Sequence, residues 1–291
     1  MLRNLSCSAI AVLVLLFLLP PSVDAEETTP PQKFVYKKVK DGELALYAYL
    51  PKDRSADRKD PAIVFFFGGG WTGGKVEQFE SQSRHLASRG MVAICADYRV
   101  KSRHGVKPDA CVEDAKSAIR WVRQNAGQLG VDPNKIVGAG GSAGGHLAAC
   151  TGLCPGLDAA NEDQRVSSKP NVLVLYNPVL NFNVATLTDR IGGDEQLAKA
   201  ISPTQHLAAD SPPVILLYGK DDKLLAQGEE FQQQAKKLGS RCEMMLVEGV
   251  GHGFFNRPPH QQATTDRVDA FLVSVGYLPA KDSSTKPVGG K

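Results

Sequence analysis

An open α/β fold, with a mostly parallel central sheet and helices on both faces, is what this chain predicts, and three observations lead there. Apolar runs of five to seven residues recur at Pro61–Phe67, Met91–Ala96, Val172–Tyr176 and Val214–Tyr218, the pattern of strands buried on both sides of a parallel sheet. Segments with helical spacing of apolar residues stand between them, so successive strands are joined by crossovers. No internal repeat and no linker interrupts the body of the 291 residues, which fits one large domain.

The elements follow in order. Met1-Leu2-Arg3 is a short basic start, and Ala9 to Leu19 is unbroken apolar sequence. Pro20, Pro21 and the small-residue site Val23-Asp24-Ala25 come next, so residues 1–25 are expected to be a signal peptide cleaved after Ala25. The apolar run is short for a bilayer span. The chain is therefore expected to be secreted or periplasmic, with no stable membrane insertion after signal cleavage, an uncleaved anchor being the alternative. Phe34–Tyr36 and Leu44–Tyr49 are β-rich, with Asp41-Gly42 as the hairpin turn between them. Pro51 to Asp60 is a charged loop ahead of the Pro61 strand, which runs out into Gly68-Gly69-Gly70-Trp71. A helix is expected from Val76 to Arg89, stopped by Gly90, and another from Pro108 to Asn125, with Ala115, Ala118, Ile119 and Val122 on one face.

Val131 to Asn134 reads as a turn into a strand at Lys135–Val137, which ends in Gly140-x-Ser142-x-Gly144 and a helix from His146. After the Val214 strand come a helix over Leu225–Leu238, a strand over Cys242–Val247 and a helix over Gln261–Ser274. Residues 26–278 form the expected domain. Residues 279–291 are polar and Gly-, Ser- and Pro-containing, and are expected to be a disordered tail.

Composition narrows the function. A net charge of +3 with no basic run interleaved with aromatics argues against a nucleic-acid partner. Without Cys7, which precedes the apolar run, an odd set remains: Cys95, Cys111, Cys150, Cys154 and Cys242. Cys150 and Cys154 are spaced either to pair past a helix end or to sit as two buried thiols. No neighbouring ligands suggest a zinc site.

Gly140-x-Ser142-x-Gly144, between a strand and a helix, is a nucleophile-elbow pattern. A strand turning abruptly into a helix strains its turn residue, and flanking glycines supply the room. A serine hydroxyl is a poor nucleophile near neutral pH, so Ser142 calls for a base and an orienting acid. Among six histidines, His252 stands in a glycine-flanked loop just after a strand, at the carboxyl edge where open α/β sheets bind ligands. His85 and His146 lie on expected helices and read as packing residues, while His104 and His206 fall in loops. The acid is expected between Ser142 and His252, and Asp221-Asp222 offers two carboxylates of which one can reach the ring; Asp222 is preferred. Ala143 N–H is the natural first oxyanion donor, with others from Gly68-Gly69-Gly70. Each donor is worth about 3 kcal/mol in the transition state. This chemistry calls for no metal or organic cofactor.

These residues together resemble the α/β-hydrolase superfamily, and within it the esterase/lipase branch similar to hormone-sensitive lipase and to bacterial acetyl and feruloyl esterases. The likeness spans roughly Pro61 to Ser274. Its most specific parts are Gly141-Ser142-Ala143-Gly144-Gly145-His146, Asp97-Tyr98-Arg99, Asp132-Pro133 and Gly251-His252-Gly253-Phe254. The resemblance implies an α/β-hydrolase fold with Ser142, Asp222 and His252 as the triad and Gly69, Gly70 and Ala143 as oxyanion donors. The family commonly has histidine before its three glycines, where this chain has Phe67.

The resemblance places any lid between the Val172 and Val214 strands, where Asn181 to Ser211 is too short and polar for a large apolar one, so the cap is expected to be small or absent. Trp71 and the Phe254-Phe255 pair are candidates for lining an acyl or sugar pocket, with core packing an equal alternative for the phenylalanines. The resulting expectation is an exported serine esterase for short or medium acyl esters, including acetyl or feruloyl esters of carbohydrates. A serine peptidase of the prolyl-oligopeptidase type and a non-catalytic binding protein of the same fold are the rival readings.

Overall fold

The computed structural model describes residues 29–52, 57–183 and 185–281. The chain divides into a unit ending at Pro30 and a unit from Pro31 onward, and the fold belongs to the second. The expected signal peptide lies outside the described residues, as does the tail beyond Lys281.

Eight strands form one sheet: β1 (Gln32–Val39), β2 (Gly42–Tyr49), β3 (Asp60–Phe66), β4 (Val92–Ala96), β5 (Val131–Gly141), β6 (Val172–Tyr176), β7 (Val214–Gly219) and β8 (Cys242–Val247). Their spatial order is β1-β2-β4-β3-β5-β6-β7-β8. β3 to β8 are parallel to one another, and β2 runs antiparallel to both β1 and β4. The helices are α1 (Glu80–Ser88), α2 (Lys101–His104), α3 (Pro108–Gln124), α4 (Ala126–Leu129), α5 (Ala143–Leu153), α6 (Ala185–Thr188), α7 (Glu195–Ala200), α8 (Leu225–Lys237) and α9 (His260–Ser274).

The apolar runs are continuous because each strand feeds two cores. In β6, Leu173 and Leu175 join the face covered by α3, α5 and α8, through residues such as Val112, Leu147 and Phe231. Val172, Val174 and Tyr176 face the other way, toward α1 and α9, through Leu86, Phe271 and Leu272. No helix among the described residues is long and apolar enough to cross a membrane.

Four expectations shift. The hairpin turn is Lys40-Asp41, since Gly42 already pairs with Val39 in β2. Val131 to Asn134 belongs to β5: Val131 pairs with Asp60, and the register slips before Ala62 where the Asp132 carboxylate accepts the Asn134 N–H at 2.9 Å. The local turn chemistry is present but is absorbed as a bulge at the strand's start. His104 and His206 lie on α2 and a short 3₁₀ turn rather than in loops. Finally, the expected tail is held at its beginning, because Arg89 Nη2 donates to the Pro279 carbonyl at 2.6 Å and Lys281 pairs with Asp266 at 3.3 Å.

Candidate active site

The ends of β3, β5, β6, β7 and β8 meet at the carboxyl edge of the sheet, where α/β folds place their ligands. β5 passes directly into α5 through Ser142, whose φ of 54° and ψ of −118° are strained for a residue with a side chain. Hydrogen bonds fix it on both sides. Its N–H donates to the Tyr176 carbonyl at 2.9 Å, and its carbonyl accepts the His146 N–H at 2.9 Å. The flanking glycines are required by close approach. A Cβ on Gly140 would lie 2.5 Å from the Gly144 carbonyl, and one on Gly144 would overlap the carbonyls of Phe66 and Phe67.

Three sequence-predicted side chains come together here. Ser142 Oγ lies 2.8 Å from His252 Nε2, and His252 Nδ1 lies 2.9 Å from Asp222 Oδ2. Asp222 is 6% exposed, and its other oxygen accepts the Leu224 N–H at 2.9 Å. A carboxylate at Nδ1 assigns the ring proton to that nitrogen and leaves Nε2 to accept from Ser142. Asp221, the competing carboxylate, is exposed to solvent.

The glycine loop after β3 is equally ordered. Gly68 N–H is occupied, donating to Gln78 Oε1 at 2.6 Å. The N–H groups of Gly69 and Gly70 have no acceptor among the described residues, and Ala143 N–H is an orphan of the first turn of α5. The Gly69 carbonyl accepts from Thr72 N at 3.1 Å and Gly73 N at 3.3 Å, which polarises the peptide carrying the Gly70 N–H. Phe67, in place of the family's histidine, stacks on Tyr98 with ring centroids 4.1 Å apart, and Tyr98 Oη donates to the Phe67 carbonyl at 2.6 Å. The loop is thus shaped from inside the core.

The expected pocket aromatics are not at the site's surface. Trp71 is 3% exposed, packed against Phe182, with its indole N–H donating to His146 Nδ1 at 3.2 Å. That bond makes Nε2 the protonated nitrogen of His146, donating to the Ile201 carbonyl at 2.8 Å, and burial holds its pKa down at about 4. Phe254 is 8% exposed and sits edge-on to Phe255. Both rings are large and apolar enough for the core to claim them.

Sequence reading missed Asn177. It follows β6 with a φ of 34°, is fully buried, and its Oδ1 accepts the Gly253 N–H at 3.2 Å. Its Nδ2 then faces His252 Nε2 at 3.4 Å. The dipeptide Asn177-Pro178 reads as an ordinary strand-ending turn, and only the fold brings it to the histidine. Arg190, also missed, donates from Nη1 to the Gly70 carbonyl at 2.8 Å and so clamps the glycine loop from the segment between β6 and β7.

Among the described residues no cluster of His, Cys, Asp or Glu is arranged to hold a metal. Cys95, Cys111, Cys150, Cys154 and Cys242 are free thiols, and burial pushes Cys95 and Cys242 up to about 12.

Residues 46–236 match the BD-FAE family, a span that contains Ser142 and Asp222 and stops short of His252. An arylesterase of Saccharolobus solfataricus is 29% identical over 260 residues, covering 82% of this chain and 81% of its own. A probable isoprenylcysteine alpha-carbonyl methylesterase of Arabidopsis thaliana is 28% identical over 229 residues, 70% of this chain and 47% of its own. The chain spans about half to two thirds of the length of the first curated relatives it matches.

Among solved structures, the apo form of Thermogutta terrifontis esterase 2 superposes with a TM-score of 0.82 at 47% identity, covering 88% of this chain and 98% of that one. That esterase has also been solved with propionate or butyrate bound and phosphorylated by paraoxon. The strand-to-helix serine, the parallel sheet that carries it and the matched span together make this chain a member of the BD-FAE family of α/β-hydrolase esterases and lipases.

Proposed function

We propose that this protein is an exported serine carboxylic-ester hydrolase for small-molecule esters with short or medium acyl groups. Acetyl or feruloyl esters of carbohydrates are its natural substrate class. The observation that carries the reading is the continuous line Asp222–His252–Ser142, with contacts of 2.9 and 2.8 Å.

In this mechanism the Ser142 oxygen attacks the ester carbonyl while its proton passes to His252 Nε2. The buried Asp222 carboxylate stabilises the imidazolium and keeps the ring in place. Charge gathers on the former carbonyl oxygen, which Gly69, Gly70 and Ala143 receive through N–H groups that need no rearrangement. His252 returns its proton to the departing alkoxide, leaving an acyl group on Ser142. Water attacks that ester through the same base, releasing the acid and restoring the serine.

Two features support short acyl chains. Among the described residues, the segment between β6 and β7 builds only short helical turns. The Thermogutta esterase, similar along nearly its whole length, binds propionate and butyrate. Export rests on the sequence of residues 1–25.

The test is hydrolysis of p-nitrophenyl acetate, butyrate and octanoate, with acetylated xylan and methyl ferulate as natural-type substrates, by the mature chain beside Ser142→Ala. Turnover is expected to fall with chain length and to drop on the order of a millionfold in the variant. Paraoxon is expected to add one diethylphosphoryl group, on Ser142, visible by mass spectrometry. Equal activity in the two proteins would remove the catalytic reading in favour of a binding protein, and cleavage of peptides alone would point to the peptidase. Processing after Ala25 in a secreting host checks the export expectation.

A further inference from the structure

Gln78 and Asn256 lie far apart in sequence, one on a 3₁₀ turn over Val76–Phe79 and the other on a 3₁₀ turn over Phe254–Asn256. Their side-chain amides bond to each other, Gln78 Nε2 donating to Asn256 Oδ1 at 3.0 Å. Each also holds one half of the site. Gln78 Oε1 accepts the Gly68 N–H at 2.6 Å, beside the free N–H groups of Gly69 and Gly70. Asn256 Nδ2 donates to the Gly253 carbonyl at 2.9 Å, and Gly253 follows His252. From there the chain continues inward, since Gly253 N–H donates to Asn177 Oδ1 and Asn177 Nδ2 faces His252 Nε2.

The direction of every bond is forced by the ends. Gly68 N–H can only donate and the Gly253 carbonyl can only accept, so each intervening amide has one workable orientation. A carboxylate at either position would lose a donor, and an apolar side chain at 78 would strip Gly68 of its acceptor.

We propose that Gln78 and Asn256 are positioning residues that lock the oxyanion loop and the histidine loop into one register. The inference rests on the esterase reading, because only that chemistry needs the Gly69–Gly70 donors and His252 to act on the same carbonyl. A purely structural role is met elsewhere. Phe79 and Phe255, the sequence neighbours of Gln78 and Asn256, stack on each other, with centroids 5.5 Å apart and planes 7° from parallel, and both are about 1% exposed. That apolar layer holds the two turns together, whereas the amide pair is open to water and adds little to stability. What the amides add is direction. A misplacement of about 1 Å at a reacting centre costs up to a hundredfold in rate.

The experiment is a double-mutant cycle in the full mature chain, with Gln78→Met, Asn256→Ala and the pair together, read on p-nitrophenyl butyrate and by thermal melting. Each single variant is expected to lose about fivefold to tenfold in kcat, with KM within about twofold and Tm nearly unchanged. The double variant is expected to lose no more than the worse single, because either change already breaks the same link. Unchanged kcat in the singles, losses that multiply in the double, a rise in KM at constant kcat, or losses that track Tm would each overturn the inference. A wild type that neither turns over the ester nor takes up paraoxon removes the esterase reading itself, and with it this inference. That outcome is distinct from an active wild type with unaffected variants.

Discussion

His146 sits one helical turn beyond Ser142 and touches the two segments that surround the site. Its Nδ1 accepts from Trp71, which follows Gly68-Gly69-Gly70, and its Nε2 donates to Ile201, at the end of α7. Burial lowers its pKa from 6.5 to about 4, so the folded protein keeps it neutral. In the unfolded chain it takes a proton near the ordinary value. Between those two pH values the unfolded state therefore holds more protons, and stability falls as pH falls, the loss being complete below about 4. The two pKa values bound the effect at roughly 3 kcal/mol. His146→Gln keeps one donor and one acceptor without the titration, so its unfolding free energy should decline less between pH 7 and pH 4.5. Urea melts of both proteins at the two pH values test this, and equal acid losses would assign the sensitivity to other groups.

At the scale of elements, the elbow depends on contact between α5 and β3. Gly144 lies against the carbonyls of Phe66 and Phe67, and the Phe67 carbonyl already accepts from Tyr98. A methyl group there has to push the helix off the strand that feeds the Gly68-Gly69-Gly70 loop. Gly144→Ala is accordingly expected to cost about 1–3 kcal/mol of stability, as overpacking does, and to depress kcat more than tenfold. Gly127→Ala in α4 is the matched control. An added Cβ there meets nothing within 4 Å, so the change should be neutral or stabilising by up to about 1 kcal/mol. Calorimetry with ester kinetics on the two variants separates these outcomes. The elbow was legible in the sequence because its requirements are local: two small residues around a serine, between a strand and a helix. Asn177, Gln78 and Asn256 were not, since each reads as an ordinary turn residue until the strand ends converge.

At the scale of the whole molecule, α1 and α9 close one face of the sheet although nearly the whole domain separates them in sequence. Asp269 of α9 is 1% exposed and receives Arg89 Nε at 2.8 Å and His85 Nε2 at 3.0 Å. The same Arg89 reaches the Pro279 carbonyl, fastening the end of the described chain. Arg89→Leu leaves a buried carboxylate short of its cation. The variant should lose about 1–3 kcal/mol, seen as a drop of several degrees in Tm with kcat on short esters unchanged. A variant as stable as wild type would show that His85 and Lys281, the latter 3.9 Å from the carboxylate, satisfy Asp269 without Arg89.

The sequence by itself determined the parallel sheet, the order of its strands and helices, and the residues Ser142, His252 and Asp222 as partners. Those properties follow from local rules: apolar periodicity, glycine at a strained turn, and chemistry expected at the carboxyl ends of strands. Even the choice of Asp222 over Asp221 was an expectation about which side chain a turn directs inward, and the fold buries Asp222 beside the ring. Tertiary structure alone decided that Trp71 and Phe254 are buried, because both carry the same apolar surface in either setting. It also decided that Phe67 could replace a histidine, through a stack with Tyr98 thirty-one residues away. The Gln78–Asn256 bridge spans 178 residues. Polar side chains that bond across such separations leave no period or spacing in the sequence, since their partners are set only when the strands converge.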